Sequence, residues 1–572
     1  MSTNATNATI LLENVLNVSQ VDAPPEIHGI LQTKNYTDFM ILSDTGDLLH
    51  TFTGSANANK CLPGDHVSLK EGKCHLELRT EHPLIVGTLE LTSISTYGLT
   101  KRGYPLYLFT PYHPSYPHFI VGCSEKDRSK NKIVLIKFDQ WSATFPRGLL
   151  ERTLGNSGEY AAEYTALIWQ ASPYVYPAYH YQPVRTQDAS PRIIDGFTFN
   201  IDPEGCHDVD DVFTFEKKDN GWLVTITISD VAGYVEDGSA IDIMASLIGQ
   251  TLYDENGTIL RAMLPAAYEN ACSLLPGKKS HGISMQFLFR NQVKGSSPML
   301  SSQNSMERIT DITWFESVLE NNKTYTYEQF QQNPYGPLQE IASYLAKEPL
   351  GDSHSWVEQM MIYYNKTAGE MMKHAQMGIL RRHSAPNRQR LEAYRQHLPE
   401  FEKFAYHSAE YCLAEEDDTR HYGLGSSAYT HASSPIRRYA DLVNQRVLKQ
   451  LIRKSGEKYI VPITMYDMKM REKAIKHFAR DADFLKAITS GTTFTGIIMD
   501  TIQKGNAMKL RIYVPAWKRM ISTRYTRIDE KTVLSRDEKK EIDVRLYRTV
   551  QLSCAVLLQA RNWKERVIVH VS

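Results

Sequence analysis

Asn200-Ile201-Asp202-Pro203-Glu204-Gly205-Cys206-His207-Asp208-Val209-Asp210-Asp211-Val212 is the stretch around which the chain is organised. Asp202, Asp208, Asp210 and Asp211 fall within ten residues, interrupted by Pro203 and Gly205. Proline and glycine at that spacing exclude a regular helix and predict a loop running into a strand. In an extended Asp208-Val209-Asp210 the two carboxylates share one face and Val209 takes the other. The bend around Pro203 and Gly205 can bring Asp202 back toward them. Such a cluster repels itself unless cations lie inside it. An all-oxygen donor set suits a hard ion, Mg²⁺ with Mn²⁺ as a substitute. Two such ions about 3.5–4 Å apart form the usual machinery for in-line attack of water on a phosphodiester.

Two other readings compete. Counted from Asp208 as an EF-hand loop, the sharp-turn glycine position holds Phe213 and the bidentate glutamate position holds Asp219, which argues against calcium. A solvated acidic turn is the blander alternative. Its apolar flanks count against it: Phe197, Phe199 and Ile201 lead in at period two and Val212, Phe213 and Phe215 follow, which sets the carboxylates between two buried strands.

Outward from this loop, 572 residues with 42% hydrophobic content describe a folded chain of three to five domains. The formal net charge of −1 means that a nucleic-acid binder of this composition must segregate its basic residues locally. Seven cysteines, odd in number and never in a C-x-x-C pair, read as reduced thiols with no zinc site. The first residues carry neither a basic start nor a long apolar core, and nowhere do 18 apolar residues run together. No signal peptide and no membrane span are expected. Without an export signal, the Asn4, Asn7 and Asn17 sequons read as chance matches.

Residues 1–24 are expected to form a flexible lead. From Glu26 to Glu81 short alternating runs are separated by turn signals, as in a small barrel of hairpins. Asp44-Thr45-Gly46 there matches the aspartic-protease triplet, but a hairpin turn already explains it and a second triplet is missing. A similar all-β pattern restarts near Pro83. Exposed aromatics beside basic residues bind single-stranded nucleic acid on such barrels, and Tyr97, Lys101, Arg102 and Tyr104 have that character; barrel filling is the equal alternative for the tyrosines. Beyond the aspartate loop a strand is expected from Trp222 to Asp230 and a helix from Ala240 to Tyr253. A second helix carries Trp356, Met360, Tyr364, Ala368 and Met371 or Met372 on one core-facing side. Glu358 on that helix must reach solvent or point into a cavity.

The second informative stretch is Ser434-Pro435-Ile436-Arg437-Arg438-Tyr439-Ala440-Asp441. Ser434 is a good N-cap, Pro435 a good first helical residue, and Tyr439, Val443, Val447 and Leu451 recur every four residues. A helix starting at Ser434 would place two arginines in its first turn, where the dipole and the planar forks attract phosphate. An ion pair of Arg437 or Arg438 with Asp441 is the competing reading. Together the two stretches suggest metals that activate water and an arginine that stabilises charge on phosphorus.

These residues bring the chain into line with a family: it resembles the ribonuclease II family, which includes ribonuclease R and the exosome's catalytic subunit. The resemblance runs from about residue 25 to the end. Its carriers are the Asp202 to Asp211 and Ser434 to Asp441 stretches, supported by Met263-Leu-Pro, Cys272-Ser-Leu, Leu380-Arg-Arg-His and His421-Tyr-Gly-Leu-Gly. It implies an α+β multidomain fold: cold-shock-type OB barrels at 25–84 and 85–185, a mixed α/β RNB catalytic domain at 186–487, and a C-terminal OB barrel at 488–572. The implied activity is a processive, hydrolytic 3′-to-5′ exoribonuclease that releases nucleoside 5′-monophosphates and uses Mg²⁺. Carried over, Asp202, Asp208, Asp210 and Asp211 form the acidic cluster and Arg437 stabilises phosphate, with Asp210 and Arg437 the catalytic pair. Tyr253 matches the tyrosine that stacks on the terminal base, Tyr327 and Glu358 match residues that hold the last ribose, and Arg438 joins them as a substrate contact.

The chain departs from the family pattern at Thr227, where histidine is usual, at Gln445 in place of a histidine, and at Gln359 in place of a glutamate. With some 24 residues ahead of the resemblance, the endonuclease domain of the eukaryotic exosome subunit is not expected here. The expected partner is single-stranded RNA with a free 3′ end, bound by a monomeric, intracellular and cytoplasmic protein with no membrane association. The alternative is a catalytically decayed RNA-binding protein on the same scaffold that regulates translation or RNA decay.

Overall fold

The computed structural model describes residues 26–186, 190–291, 308–491, 493–535, 540–556 and 567–571. The expected lead at 1–24, with its three sequons, lies outside the described residues. The chain forms two compact units, the first ending at Ala166 and the second beginning at Leu167.

In the first unit, alternating apolar residues build two sheets. The first sheet runs, from edge to edge, Leu48–Thr53, Asp38–Leu42, Ile27–Thr33, His66–Lys70 and Lys73–Leu78, around buried Leu31, Phe39, Ile41 and Val67. Asp44-Thr45-Gly46 forms the tip of the Asp38–Leu42/Leu48–Thr53 hairpin, and Gly46 takes the left-handed conformation (φ 88°) that such a tip requires. The second sheet closes into a barrel of Ile85–Leu89, Leu106–Pro111, Phe119–Gly122, Lys132–Gln140 and Arg147–Asn156, filled by Tyr107, Phe109, Phe119, Val134 and Ile136. Tyr97 and Tyr104 are not barrel filling: they are 42% and 46% exposed.

The second unit is built on a seven-stranded mixed sheet in the order Arg192–Ile193, Ile309–Glu320, Lys279–Arg290, Gly221–Ser229, Asp211–Lys218, Thr198–Ile201, Lys323–Tyr325. Its central strands are buried on both faces. One face carries Phe199, Phe213, Phe215, Ile226 and Phe287, against which helix Ser353–Ala375 lays Trp356, Met360, Tyr364, Ala368 and Met372. On the other face Thr198 bonds Thr214, and Thr227, Ser284 and Ser317 form a hydroxyl chain at 2.7 Å per step. These hydroxyls satisfy one another inside the sheet's polar face. C-terminal to the long helix Met465–Ser490, five strands in the order Arg519–Thr526, Ala507–Val514, Thr493–Lys504, Thr549–Val556, Val567–Val571 form the last sheet. The fold is thus α+β, with two N-terminal β-barrel modules, a mixed central domain and a C-terminal OB-type sheet. Among the described residues, no helix is long and apolar enough to cross a membrane.

Two expected helices end differently from the sequence reading. The helix expected over Ala240 to Tyr253 stops at Ile248, because Gly249 adopts a positive φ (78°) and closes it; Leu252–Tyr253 is instead a short strand paired with Ile259–Arg261. The helix expected from Ser434 begins at Tyr439, since Arg438 is extended (φ −136°, ψ 126°). Before it, the Ser434 and Ile436 N–H groups go to carboxylates, and those of Arg437 and Arg438 both go to the Ser434 carbonyl.

Candidate active site

The aspartate loop leaves strand Thr198–Ile201 and enters strand Asp211–Lys218. Gly205 (φ 78°) makes its bend, and Asp202 N–H is tied to the Tyr325 carbonyl at 3.1 Å. The far half is pinned by Ser273 and Leu274: Val209 N–H donates to Ser273 Oγ (2.9 Å), Ser273 Oγ donates to the His207 carbonyl (2.8 Å), and Leu274 N–H donates to the Val209 carbonyl (3.0 Å). Val209 packs fully buried with Val212, Leu274 and Leu319. The flanking carboxylates meet polar partners instead. Asp208 Oδ2 accepts from the Tyr253 hydroxyl at 2.7 Å, and its Oδ1 accepts from Cys206 Sγ at 3.5 Å. Asp202 Oδ2 accepts from Asn200 Nδ2 at 2.8 Å.

Asp210, only 4% exposed, reaches across to the second informative stretch. Its Oδ1 accepts from the Ile436 N–H (3.1 Å) and its Oδ2 from Arg437 Nε (3.3 Å). Residues 434–438 form a turn rather than a first helical turn: Ser434 N–H and Arg438 Nη2 both donate to buried Asp441 Oδ1 at 2.8 Å. The helix-dipole account of phosphate attraction therefore does not apply to Arg437, whose position is set by Asp210 and by Ser434 Oγ, the acceptor of Nη2 at 3.0 Å. Its side chain remains 44% exposed. The ion pair weighed from sequence is made by Arg438, not Arg437. A strap at 249–251 fixes the turn from the other side, through Thr251 N–H to the Arg437 carbonyl and Tyr439 N–H to the Gly249 carbonyl, both 2.9 Å.

Burial is the main force on the loop's acids. It pushes Asp210 up to about 7 against the pull of Arg437 and the Ile436 N–H. Burial, then Asp202 and Asp210, holds Asp211 well above the ordinary carboxylate range, and burial also raises Asp202 with Asp208 adding to it. Carboxyls so placed resist ionising until positive charge joins them. Among the described residues, no three of these aspartates bring carboxylate oxygens within 4.8 Å of one another; the group that does is the exposed trio Glu26, His28 and Glu77, where Lys70 pairs with Glu26. The donor chemistry at the loop still fits a divalent cation. All four acids offer oxygens, and only Asp210 is paired with a cation, so among the described residues Asp202, Asp208 and Asp211 have no guanidinium or ammonium partner of their own.

Of the remaining expected residues, Tyr253 and Tyr327 lie at this centre. Tyr253 is hydrogen-bonded to it directly. Tyr327 opens helix Tyr327–Gln332 behind the Thr326 capping box, stacks on His354 (3.7 Å, 14°), and feels the Asp211 and Asp202 charges after burial as causes of its raised phenol pKa. Glu358 is exposed, one helical turn after His354.

A model of the RNB domain matches residues 192–342 and 335–454, and a model of the Dis3-like cold-shock domain 2 (CSD2) matches residues 106–172. The chain carries the RNB domain of the ribonuclease II family. Ribonuclease R of Thermotoga maritima is 26% identical over 421 residues, covering 61% of this chain and 57% of that protein; the chain thus spans little more than half of this relative's length. In fold, the chain resembles Mycoplasma genitalium RNase R in complex with ribose-methylated single-stranded RNA (TM-score 0.65, 16% identity, 96% of this chain and 100% of that one). It also resembles yeast Ssd1, described as a pseudonuclease (TM-score 0.61, 17% identity, 96% and 83%).

Within this RNB domain two of the three departures, Thr227 and Gln445, have structural roles. Thr227 belongs to the buried hydroxyl chain, and Gln359 sits half-buried on the helix beside Glu358. Gln445 Nε2 donates to the Ser229 carbonyl (2.6 Å) and its Oε1 accepts from Ala232 N–H (2.8 Å), which ties the end of strand Gly221–Ser229 to helix Tyr439–Arg453. The sequence reading misses two neighbours of the site, Glu269 and His354, and already pairs Asp441 with one of the two arginines. Glu269 is pushed up to about 7 by burial and then by Asp208, His354 stacks on Tyr327, and Asp441 holds the arginine turn. Only Asp441, inside the quoted motif, carried a local signal.

Proposed function

We propose that the protein is a processive, hydrolytic 3′-to-5′ exoribonuclease that shortens single-stranded RNA to nucleoside 5′-monophosphates and uses Mg²⁺. The observation that carries this reading is the meeting of Asp210 and Arg437, 227 residues apart in sequence, beside the other loop carboxylates. Asp202, Asp208, Asp210 and Asp211 are the residues proposed to hold the ion. When bound, Mg²⁺ supplies the Lewis acidity that phosphodiester hydrolysis requires. Arg437, fixed at Nε and Nη2 yet partly exposed, offers its remaining N–H groups to the charge that grows on the scissile phosphate. The Tyr253 ring is assigned to the terminal base, where stacking contributes about 1–3 kcal/mol, enough to hold an end and weak enough to let it step. Tyr327 and Glu358 are assigned to the last ribose. Arg438, committed to Asp441, is assigned to shaping the turn rather than touching RNA. We further propose that the protein works as a monomer inside the cell, which the seven free cysteines fit.

The fold likeness to a pseudonuclease favours one second reading, an RNA-binding regulator without catalysis. A 5′-labelled single-stranded oligoribonucleotide separates the two. We expect stepwise shortening from the 3′ end with release of monophosphates, its loss in EDTA, its abolition in Asp210→Asn, and a fall of roughly 100-fold or more in Arg437→Ala. RNA binding without cleavage by the wild type would establish the regulator.

A further inference from the structure

We propose that the hydroxyl of Tyr253 is a positioning group for the cation site, so that the side chain assigned to the RNA base also sets how tightly the metal is held. The proposal rests on the assignment of Asp208 as a metal ligand. Asp208 lies in a loop without regular secondary structure, and its carboxylate has two side-chain donors: the Tyr253 hydroxyl on Oδ2 at 2.7 Å and Cys206 Sγ on Oδ1 at 3.5 Å. A thiol is a weak donor, so the phenol is the group that fixes the carboxylate's rotation. Asp210 is placed differently, by a backbone N–H and a guanidinium.

Tyr253 is itself held firmly. Strand Leu252–Tyr253 pairs with Ile259–Arg261, and the residues just before it are bonded to the Arg437 carbonyl and the Tyr439 N–H. One strap thus carries the phenol to Asp208 and braces the turn that presents Arg437. Groups that hydrogen-bond a ligating carboxylate orient it, and their removal commonly weakens metal affinity 10–100-fold.

The test is Mn²⁺ titrated into RNA-free protein, with free ion read by electron paramagnetic resonance. Tyr253→Phe and Tyr253→Leu both remove the hydroxyl and bring no new donor, and either one, if folded by circular dichroism, carries the test. We expect about tenfold weaker Mn²⁺ binding in each. Asp208→Asn should weaken binding more, and Tyr253→Phe added to Asp208→Asn should weaken it no further, because the hydroxyl then has no ligand to position. Wild-type affinity in the Tyr253 variants, or full additivity with Asp208→Asn, would overturn the proposal and leave the nuclease reading standing. A wild type that binds no Mn²⁺ would overturn both.

Discussion

Asp210 sits where two demands conflict. On the proposed function it must be charged to hold a cation, and it pairs with Arg437, yet it is buried deeply enough that its carboxyl is pushed up to about 7. In the unfolded chain the same group titrates near 3.8. Below about pH 4 both states are protonated, and between about 4 and 7 the folded protein keeps a proton that the unfolded chain has lost. Metal-free stability therefore falls as pH rises across that window, by an amount on the order of 4 kcal/mol, and stays lower above it. Asp210→Asn removes the penalty, and Arg437, being 44% exposed, can hydrate once its partner is neutral. We expect the metal-free Asn variant to melt several degrees above the wild type at pH 8, with the gap shrinking by pH 5, and Mg²⁺ to raise the wild type alone. Identical melting profiles across pH would show that burial does not govern this carboxylate. The same substitution that ends catalysis should thus stabilise the fold, as expected of a site held together against its own charge.

At the scale of elements, helix Ser353–Ala375 is set by its contact with the segment leading to the arginine turn. A Cβ added at Gly369 would lie 3.0 Å from Tyr429 Cα and 3.1 Å from Thr430 N, both backbone atoms. In an open helix Gly→Ala gains about 1 kcal/mol. Here the alanine must push the helix off the 429–430 backbone, and overpacking of that kind costs about 1–3 kcal/mol. We expect Gly369→Ala to lower the urea midpoint rather than raise it. The same contact explains what the sequence could and could not tell. The apolar stripe from Trp356 to Met372 was legible because its period is local, and the aspartate loop because charge density and apolar flanks are local too. The start of the arginine helix was misread because Ser434 and Ile436 give their N–H groups to Asp441 and Asp210, and no cap rule sees an acceptor 226 residues away. The Tyr253–Asp208 bond and the His354–Tyr327 stack escaped for the same reason: each joins segments with no shared periodicity.

For the whole molecule, the proposed function requires that a chain of net charge −1 attract a polyanion. Much of the central domain's basic charge is spent internally: Arg381 pairs with Glu472, Arg382 with Glu410 and Glu416, Arg446 with Asp242, and Lys449 with Asp230. Phosphate neutralisation must then come from a few local clusters. Lys101 and Arg102 are one: they are exposed at a tight turn closed by Gly103 N–H on the Thr100 carbonyl, beside the exposed rings of Tyr97 and Tyr104. Each phosphate contact on a single strand contributes about −0.7 to the slope of log affinity against log salt. If both side chains meet phosphates, Lys101→Ala/Arg102→Ala should flatten that slope by about 1.4 and weaken binding most at low salt, measured by fluorescence anisotropy of a single-stranded oligoribonucleotide in EDTA. Because these residues are far in sequence from the aspartate loop, release of monophosphates from saturating short RNA should be unaffected. A slope equal to the wild type's would mean that the turn meets only water, and that the RNA is held by the strand-end contacts of the catalytic domain.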